Sequence, residues 1–458
     1  MSESRPAAVI VLAAGEGTRM KSATPKVLHD VLGRSLLGHV LAASARLDAR
    51  RTIVVVGHGR DQVIGHLGAV APQAQSVDQP EQRGTGHAVR IALDATPELS
   101  GTILVVCGDT PLLLSATLVS LLASHSTNAN AATVLTASVP DPHGYGRIIR
   151  DATGRVSAIV EQSDADVGQL QVNEINAGIY AFDLARLRGA LSDLTQDNSQ
   201  GEEYLTDVIA LLRQRGEPVG AVIASDFREV LGVNDGPQLA DARRLLRDRI
   251  NERWMLAGVS IIDPSSTYIG PEVILGQDSV VWPNTFLRGK TSIGSDCVLG
   301  PDTIIEDSQI GSNCRVLASY IESSTLEDDV KMGPFCHLRP KAYLAKGVKM
   351  GNFGEVKGSY LGPGVHMGHF SYIGDAEIGA HTNIGAGTIT CNFDGKNKFK
   401  TEIGEEAFIG SDSMLVAPLK IGARARTGAG AVVTHDVPAD TTVVGVPARP
   451  FVKKPPQV

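Results

Sequence analysis

Residues 268–305 read YIGPEVILGQDSVVWPNTFLRGKTSIGSDCVLGPDTII. An aliphatic side chain returns there at every sixth position: Ile269, Leu275, Val281, Leu287, Ile293, Leu299 and Ile305. After one slip the beat resumes as Ile403, Ile409, Leu415 and Ile421, then Thr427 and Val433. Glycine often follows the aliphatic residue, as at Ile310-Gly311, Ile373-Gly374 and Ile384-Gly385. One such pair is an ordinary strand end, but a sustained six-residue period is the signature of a parallel β-helix. Each unit forms one flat face with its aliphatic side chain inward, and small residues turn the corner.

Upstream the pattern is different. Apolar runs at Ala8–Ala14, Thr52–Gly57, Thr102–Cys107, Ala132–Ala137 and Ala221–Ala224 alternate with helical stretches, and Pro25 to Ala45 carries helix-like apolar spacing. Strands alternating with helices indicate an α/β domain with a mainly parallel sheet. Between the two patterns, Leu239, Ala242, Leu245, Leu246, Ile250 and Trp254 share one helical face. The expected organisation is an α/β domain over residues 1–236, a helical linker over 237–257 and a β-helix over 258–458.

Composition narrows the function. At 458 residues the chain exceeds what one core usually supports. A net charge of -8 argues against a nucleic-acid backbone as the main partner. Five cysteines with no CxxC pair fit neither a disulfide framework nor a thiolate zinc site, and point to a reducing cytoplasm. The apolar opening Ala7–Ala14 is too short to span a bilayer and reads as a buried strand, so no membrane insertion is expected.

The first strand leads into LAAGEGTRM (12–20) and TPKVL (24–28). Gly15 and Gly17 let backbone amides approach a phosphate, with Arg19 and Lys26 supplying positive charge. The dinucleotide fingerprint fails at Met20, and no P-loop GK[ST] follows. A glycine-rich turn without a ligand is the plainer alternative. Asp109 ends a buried strand before Pro111, placed either to hold Mg²⁺ with substrate phosphates or to cap the next helix.

LAAGEGTRM, PKVLH, QPEQRGTGHAV, GDTPLL, GYGRI, VEQ, EINAGIY and GVND, in this order, resemble the sugar nucleotidyltransferases. From about residue 7 to 445 the chain is similar to the bacterial bifunctional N-acetylglucosamine-1-phosphate uridyltransferase/glucosamine-1-phosphate acetyltransferases. The resemblance implies a Rossmann-like α/β nucleotidyltransferase domain joined by a helix to a left-handed parallel β-helix of hexapeptide repeats. It implies that Leu12, Ala13, Ala14, Gly15, Gln79, Gly84 and Thr85 hold UTP, with Arg19 and Lys26 on its triphosphate. Asp109 and Asn234 would bind Mg²⁺, and Gly146, Glu161 and Asn176 the sugar. Singly, Gln79 also fits a strand cap and Gly146 a turn.

The second half resembles the hexapeptide acyltransferases of the same family. There the resemblance makes His369 the general base of acetyl transfer, with Glu355 orienting or polarising it. His366, three positions away, competes for that role. Arg339, Lys357, Tyr372 and Asn383 would hold the sugar phosphate, and Ala386, Asn392, Phe393, Ser411 and Ala429 acetyl-CoA. Ser411 and Ala429 also fit plain corner positions. The family often places an arginine where this chain reads VVGVPAR (443–449), leaving Arg449 for the CoA phosphates. Four segments should depart from the regular coil: Gly333–Pro340, Gly351–Lys357, His366–Tyr372 and Thr390–Thr401. The resemblance further implies a homotrimer acting on glucosamine 1-phosphate, acetyl-CoA and UTP, for bacterial envelope synthesis. Two other readings remain: a pyrophosphorylase whose coil is a scaffold, and a regulatory protein with a degenerate transferase fold.

Overall fold

The computed structural model describes residues 5–451; residues 1–4 and 452–458, the outer ends of the expected domains, lie outside them. Two compact units part between Leu246 and Arg247, inside a continuous helix, Gly236–Leu256. Among the described residues no helix is long and apolar enough to cross a membrane.

The first unit is built on a sheet of nine strands. They are β1 (Ala8–Ala13), β2 (Arg51–Val56), β3 (Gln75–Asp78), β4 (Thr102–Cys107), β5 (Ala132–Ser138), β6 (Arg147–Arg150), β7 (Val156–Val160), β8 (Glu174–Asp183) and β9 (Val219–Ile223). Their spatial order is β9-β5-β8-β4-β1-β2-β3, with β6 beside β8 and β7 beside β6. All pairs in the main path are parallel except those of β8, which runs antiparallel to β4 and β5. Helices cover both faces of such a sheet, which is why β1, β2 and β4 at its centre are largely apolar runs. Val9 and Val11 enter one core cluster and Ile10 the other, as strand alternation requires. The strands β1 to β4 therefore end side by side, and their loops can meet over one edge.

The helix expected from Pro25 begins only at Leu36. A short 3-10 turn, Lys26–Leu28, and a two-stranded ribbon, Asp30–Val31 with Arg34–Ser35, come first. Leu32 and Gly33 hold left-handed conformations in the ribbon's turn, and Ser35 Oγ accepts from the Gly38 amide to cap the helix.

The second unit is a left-handed β-helix of three parallel sheets, each gaining one short strand per turn. The aliphatic beat becomes three vertical stacks. One runs Ile269, Leu287, Ile305, Ile321, Leu338 and another Leu275, Ile293, Ile310, Leu326, all buried. Corners are turned by Asp278, Asn284, Asp296, Asp302, Asn313 and Asp329, with φ between 52° and 65°. Short side chains that bond locally tolerate that left-handed geometry.

Of the four expected departures, only Thr390–Thr401 leaves the coil. The other three stay in register, through His337 with Glu355 and Glu355 with Tyr372. The beat looked broken because Met332, Met350 and Met367 occupy inward slots as a buried stack. The flexible thioether fills an aliphatic position without its branched shape.

Candidate active sites

Where β1 to β4 end, a cavity of about 260 Å³ is lined by Leu12, Ala13, Ala14, Gly15, Lys26, Gln79, Gly84, Thr85 and Asp109. Every expected UTP residue before position 100 except Arg19, together with Asp109, meets in it. Gln82 and Glu202 share the wall and were not singled out from the sequence. Gln82 Nε2 donates to the Ala14 carbonyl at 2.8 Å, tying the third strand's loop to the first. Gly17 must be glycine for a protein reason: φ is 62° and a Cβ would lie 2.6 Å from Lys26 Cβ. At Gly15 a Cβ would meet nothing within 4 Å, so the open space there belongs to the cavity.

Lys26 Nζ lies 2.5 Å from Asp109 Oδ2 and 3.1 Å from Asn234 Oδ1. Three remote segments thus converge on one cation. The Val233 amide donates to the Asp109 carbonyl at 2.9 Å, and the Asn234 amide to Gln238 Oε1 at 2.8 Å, so the Asn234 loop is fixed at both sides. The donor set suits Mg²⁺: a carboxylate and an amide oxygen already share a positive charge, and hard oxygen ligands are what this ion takes. Arg19 is exposed on the 3-10 turn Thr18–Met20, does not line the cavity, and forms no ion pair among the described residues.

The expected sugar residues form a second cluster. The Asn176 amide donates to the Gly146 carbonyl at 2.8 Å, and a Cβ on Gly146 would sit 3.4 Å from both Glu161 carboxylate oxygens. Burial, then the nearby carboxylates Asp207, Asp164 and Glu202, push the Glu161 carboxyl above the usual range, although Thr206 Oγ1 donates to it at 3.2 Å. Asn176 Nδ2 donates to Tyr180 Oη at 2.7 Å. Cys107, on the cavity wall, has its thiol pushed up to about 12 by burial and by Asp109, leaving it a neutral wall rather than a nucleophile.

On the coil, His369, Ala386, Ser411 and Ala429 occupy one corner on successive turns. Each follows by two residues an inward position of one stack: Met367, Ile384, Ile409 and Thr427. The backbone closes the column, with Gly387 N bonding Phe370 O, Asp412 N bonding Ala386 O and Gly430 N bonding Ser411 O. His369 is exposed. Glu355 is not bonded to it; its carboxylate pairs with Arg339 at 3.0 Å.

The face beyond this corner is cationic. Lys398 first, and Arg339 after it, hold the Lys357 ammonium below the usual lysine range by repulsion. Lys398 comes from the protruding Thr390–Thr401 segment and had no assigned role in the sequence reading. Asn392, in the same segment, donates to Asp375 Oδ2 at 2.6 Å, while Phe393 is exposed. Tyr372 is the register neighbour of Glu355 on this face. Asn383 is not with them: it pairs in register with His366 on the face across the corner. Arg449 lies exposed on a terminal strand paired with Val444. A groove of about 510 Å³ beside Gly379, Gly404 and Gly422 contains none of these residues.

Fold and sites together describe a nucleotidyltransferase carrying a hexapeptide coil. The family model of nucleotidyl transferases matches residues 8–257, and that of the hexapeptide repeat of succinyl-transferase matches 400–435. Similar over nearly their whole lengths are the proteins named Bifunctional protein GlmU of Streptomyces avermitilis (50% identity, 97% of this chain and 92% of that one) and Thermobifida fusca (52%, 97% and 93%). That of Heliobacterium modesticaldum is 50% identical over 95% of this chain and 94% of its own. The chain belongs to this bifunctional GlmU family.

Proposed function

We propose that the chain makes a UDP-activated amino sugar by two transfers in sequence, acetyl transfer on the coil (258–458) and uridylyl transfer in the sheet domain (1–236), the helix 237–257 joining them. In the first, Arg339 and Lys357 hold the phosphate of glucosamine 1-phosphate, with Lys398 as a third cation and Tyr372 and Asn383 completing the pocket. An imidazole nitrogen of His369 takes a proton as the sugar amine attacks the acetyl carbonyl of acetyl-CoA, and the CoA thiol leaves. Ala386, Ser411 and Ala429 run their backbone beside the CoA arm, with Asn392, Phe393 and Arg449 further along. Glu355 acts on this site through Arg339.

In the second transfer, a phosphate oxygen of N-acetylglucosamine 1-phosphate attacks the α-phosphorus of UTP in line, and pyrophosphate leaves. Leu12 to Gly15, Gln79, Gly84 and Thr85 seat the nucleotide, while Gly146, Glu161 and Asn176 orient the sugar. Lys26 turns its ammonium to the phosphates and stabilises the charge that develops. Arg19 reaches the triphosphate only by moving from its exposed position. Asp109 and Asn234 would hold Mg²⁺, which supplies charge neutralisation when bound. No protein nucleophile is needed.

The observation that carries the two-enzyme reading is the cluster of Arg339, Glu355, Lys357 and Lys398 on the coil that also bears His369, which a scaffolding coil has no reason to assemble. Tyr372 and Asn383 face away from one another on two faces of one coil, which supports a homotrimer whose acetyl-transfer sites lie between copies. The substrates place the enzyme in the cytoplasm. The test is one preparation assayed for thiol release from acetyl-CoA and pyrophosphate release from UTP. His369→Ala should abolish the first alone and Asp109→Ala the second alone. Loss of both activities from either change in folded protein would refute the assignment.

A further inference from the structure

Gln79 lines the nucleotide cavity yet is buried, and its backbone amide donates to the Val56 carbonyl at 2.7 Å. Its side-chain nitrogen makes two contacts, to the Gly84 carbonyl at 3.2 Å and to His87 Nδ1 at 3.1 Å. The first contact fixes which way the amide points, because a carbonyl can only accept. The nitrogen therefore sits on that side, and its second hydrogen reaches His87, whose Nδ1 has to be the acceptor. That requires the neutral imidazole with its proton on the other ring nitrogen. With both hydrogens committed, the side-chain oxygen is the end of Gln79 left to meet a ligand in the cavity.

Both anchors are themselves held. A Cβ on Gly84 would lie 2.6 Å from the Glu203 carbonyl, so this glycine packs directly against backbone. His87 is buried on the helix Thr85–Asp94. Around its ring lie the Glu203 carboxylate, paired with Arg90 at 2.6 Å, the Arg83 guanidinium and the Glu81 carbonyl. Burial holds the imidazole below the usual histidine range, with Glu203 and the Glu81 carbonyl opposing and Arg83 and Arg90 assisting. The ring is thus neutral at neutral pH.

We propose that His87 is a positioning residue that selects the base of the nucleotide. By accepting from Gln79 it leaves the Gln79 oxygen to the cavity, where it takes the N3–H of uracil and repels the N3 lone pair of cytosine. The inference rests on the placement of UTP in this cavity. A site built to pair one hydrogen-bonding group discriminates strongly against an analogue that lacks the partner, since its own buried polar group is then left unpaired.

The test is pyrophosphate release from UTP and from CTP by the full chain with N-acetylglucosamine 1-phosphate, read as the ratio of the two kcat/KM values. The unaltered chain should prefer UTP. His87→Phe removes the acceptor and should lower the ratio about tenfold, the worth of one ordinary hydrogen bond, through a higher KM for UTP rather than a lower kcat. His87→Asn places an amide oxygen near the position of Nδ1 and should keep the ratio. As pH falls from neutrality through and below the histidine range, Nδ1 gains a proton and can no longer accept. The ratio should then fall in the unaltered chain but not in His87→Asn, which shares any change in the nucleotides themselves. The proposal is overturned by an unaltered chain without preference for UTP, by a ratio unmoved in His87→Phe, or by one as low in His87→Asn as in His87→Phe. Coinciding pH profiles of the unaltered chain and His87→Asn would overturn it too, and these two chains decide the matter if His87→Phe fails to fold. A chain that releases no pyrophosphate from UTP at all would instead overturn the uridylyl-transfer assignment.

Discussion

The sheet domain and the coil solve the same problem, holding a phosphorylated sugar, in opposite ways. The sheet gathers loops from residues 12, 26, 79, 109 and 234 over one edge, so a concave cavity closes within a single chain. The coil is a convex prism whose outward side chains diverge. Its candidate residues occupy one corner and the two faces beside it, and His369 is exposed. A convex surface binds a small molecule tightly only when a second body supplies the other wall, since most of a ligand's surface must be covered. The proposed homotrimer would thus leave the first site complete in one copy and make the second shared between copies.

The comparison can be broken most sharply at Lys26. Lys26→Ala should lower kcat for pyrophosphate release about 10²–10³-fold, as removal of a charge-stabilising donor does, with thiol release intact. A fall in both rates would show that the two sites depend on each other. A smaller effect is expected on the coil. Lys357→Met should raise the KM for glucosamine 1-phosphate roughly tenfold, because Arg339 and Lys398 remain to meet the phosphate. An unchanged KM would remove the cationic face from the substrate site.

The smallest effect concerns Glu161. Burial raises its carboxyl pKa in the folded chain, so the folded state binds more protons than the unfolded one just above the ordinary glutamate range. Glu161 therefore costs no stability below the ordinary glutamate pKa, and the cost grows as pH rises through the folded one. Glu161→Gln should raise Tm at neutral pH, with the gain vanishing under acid conditions. A gain that persists in acid would mean the carboxylate is not destabilised by burial.

Much of this was legible in the residues, and unevenly so. The six-residue beat yielded the coil because each aliphatic position, Ile269 to Ile305, is an inward slot in the structure. The strands β1, β2, β4 and β5 were readable for the same reason, as continuous apolar runs. The strands β6, β7 and β8 were not: they are antiparallel or carry polar positions such as Arg147 and Asn176, and β8 is irregular between Asn176 and Tyr180. Met332, Met350 and Met367 hid the regularity of three coil turns. The His369 column escaped notice because its members stand 17, 25 and 18 residues apart, a spacing that makes sense only once Thr390–Thr401 is known to protrude. Gln82 and Lys398 lay inside quoted motifs, but only the fold turns one toward Ala14 and the other toward Lys357.

Whether the coil site is shared is best measured by mixing two inactive variants. His369→Ala and Asn383→Ala chains, each folded and each releasing pyrophosphate normally, should regain thiol release after subunits are exchanged by mild dissociation and reassembly. Some interfaces then combine an intact His369 from one copy with an intact Asn383 from its neighbour. Mixtures that form mixed assemblies yet release no thiol would contradict a site divided between copies.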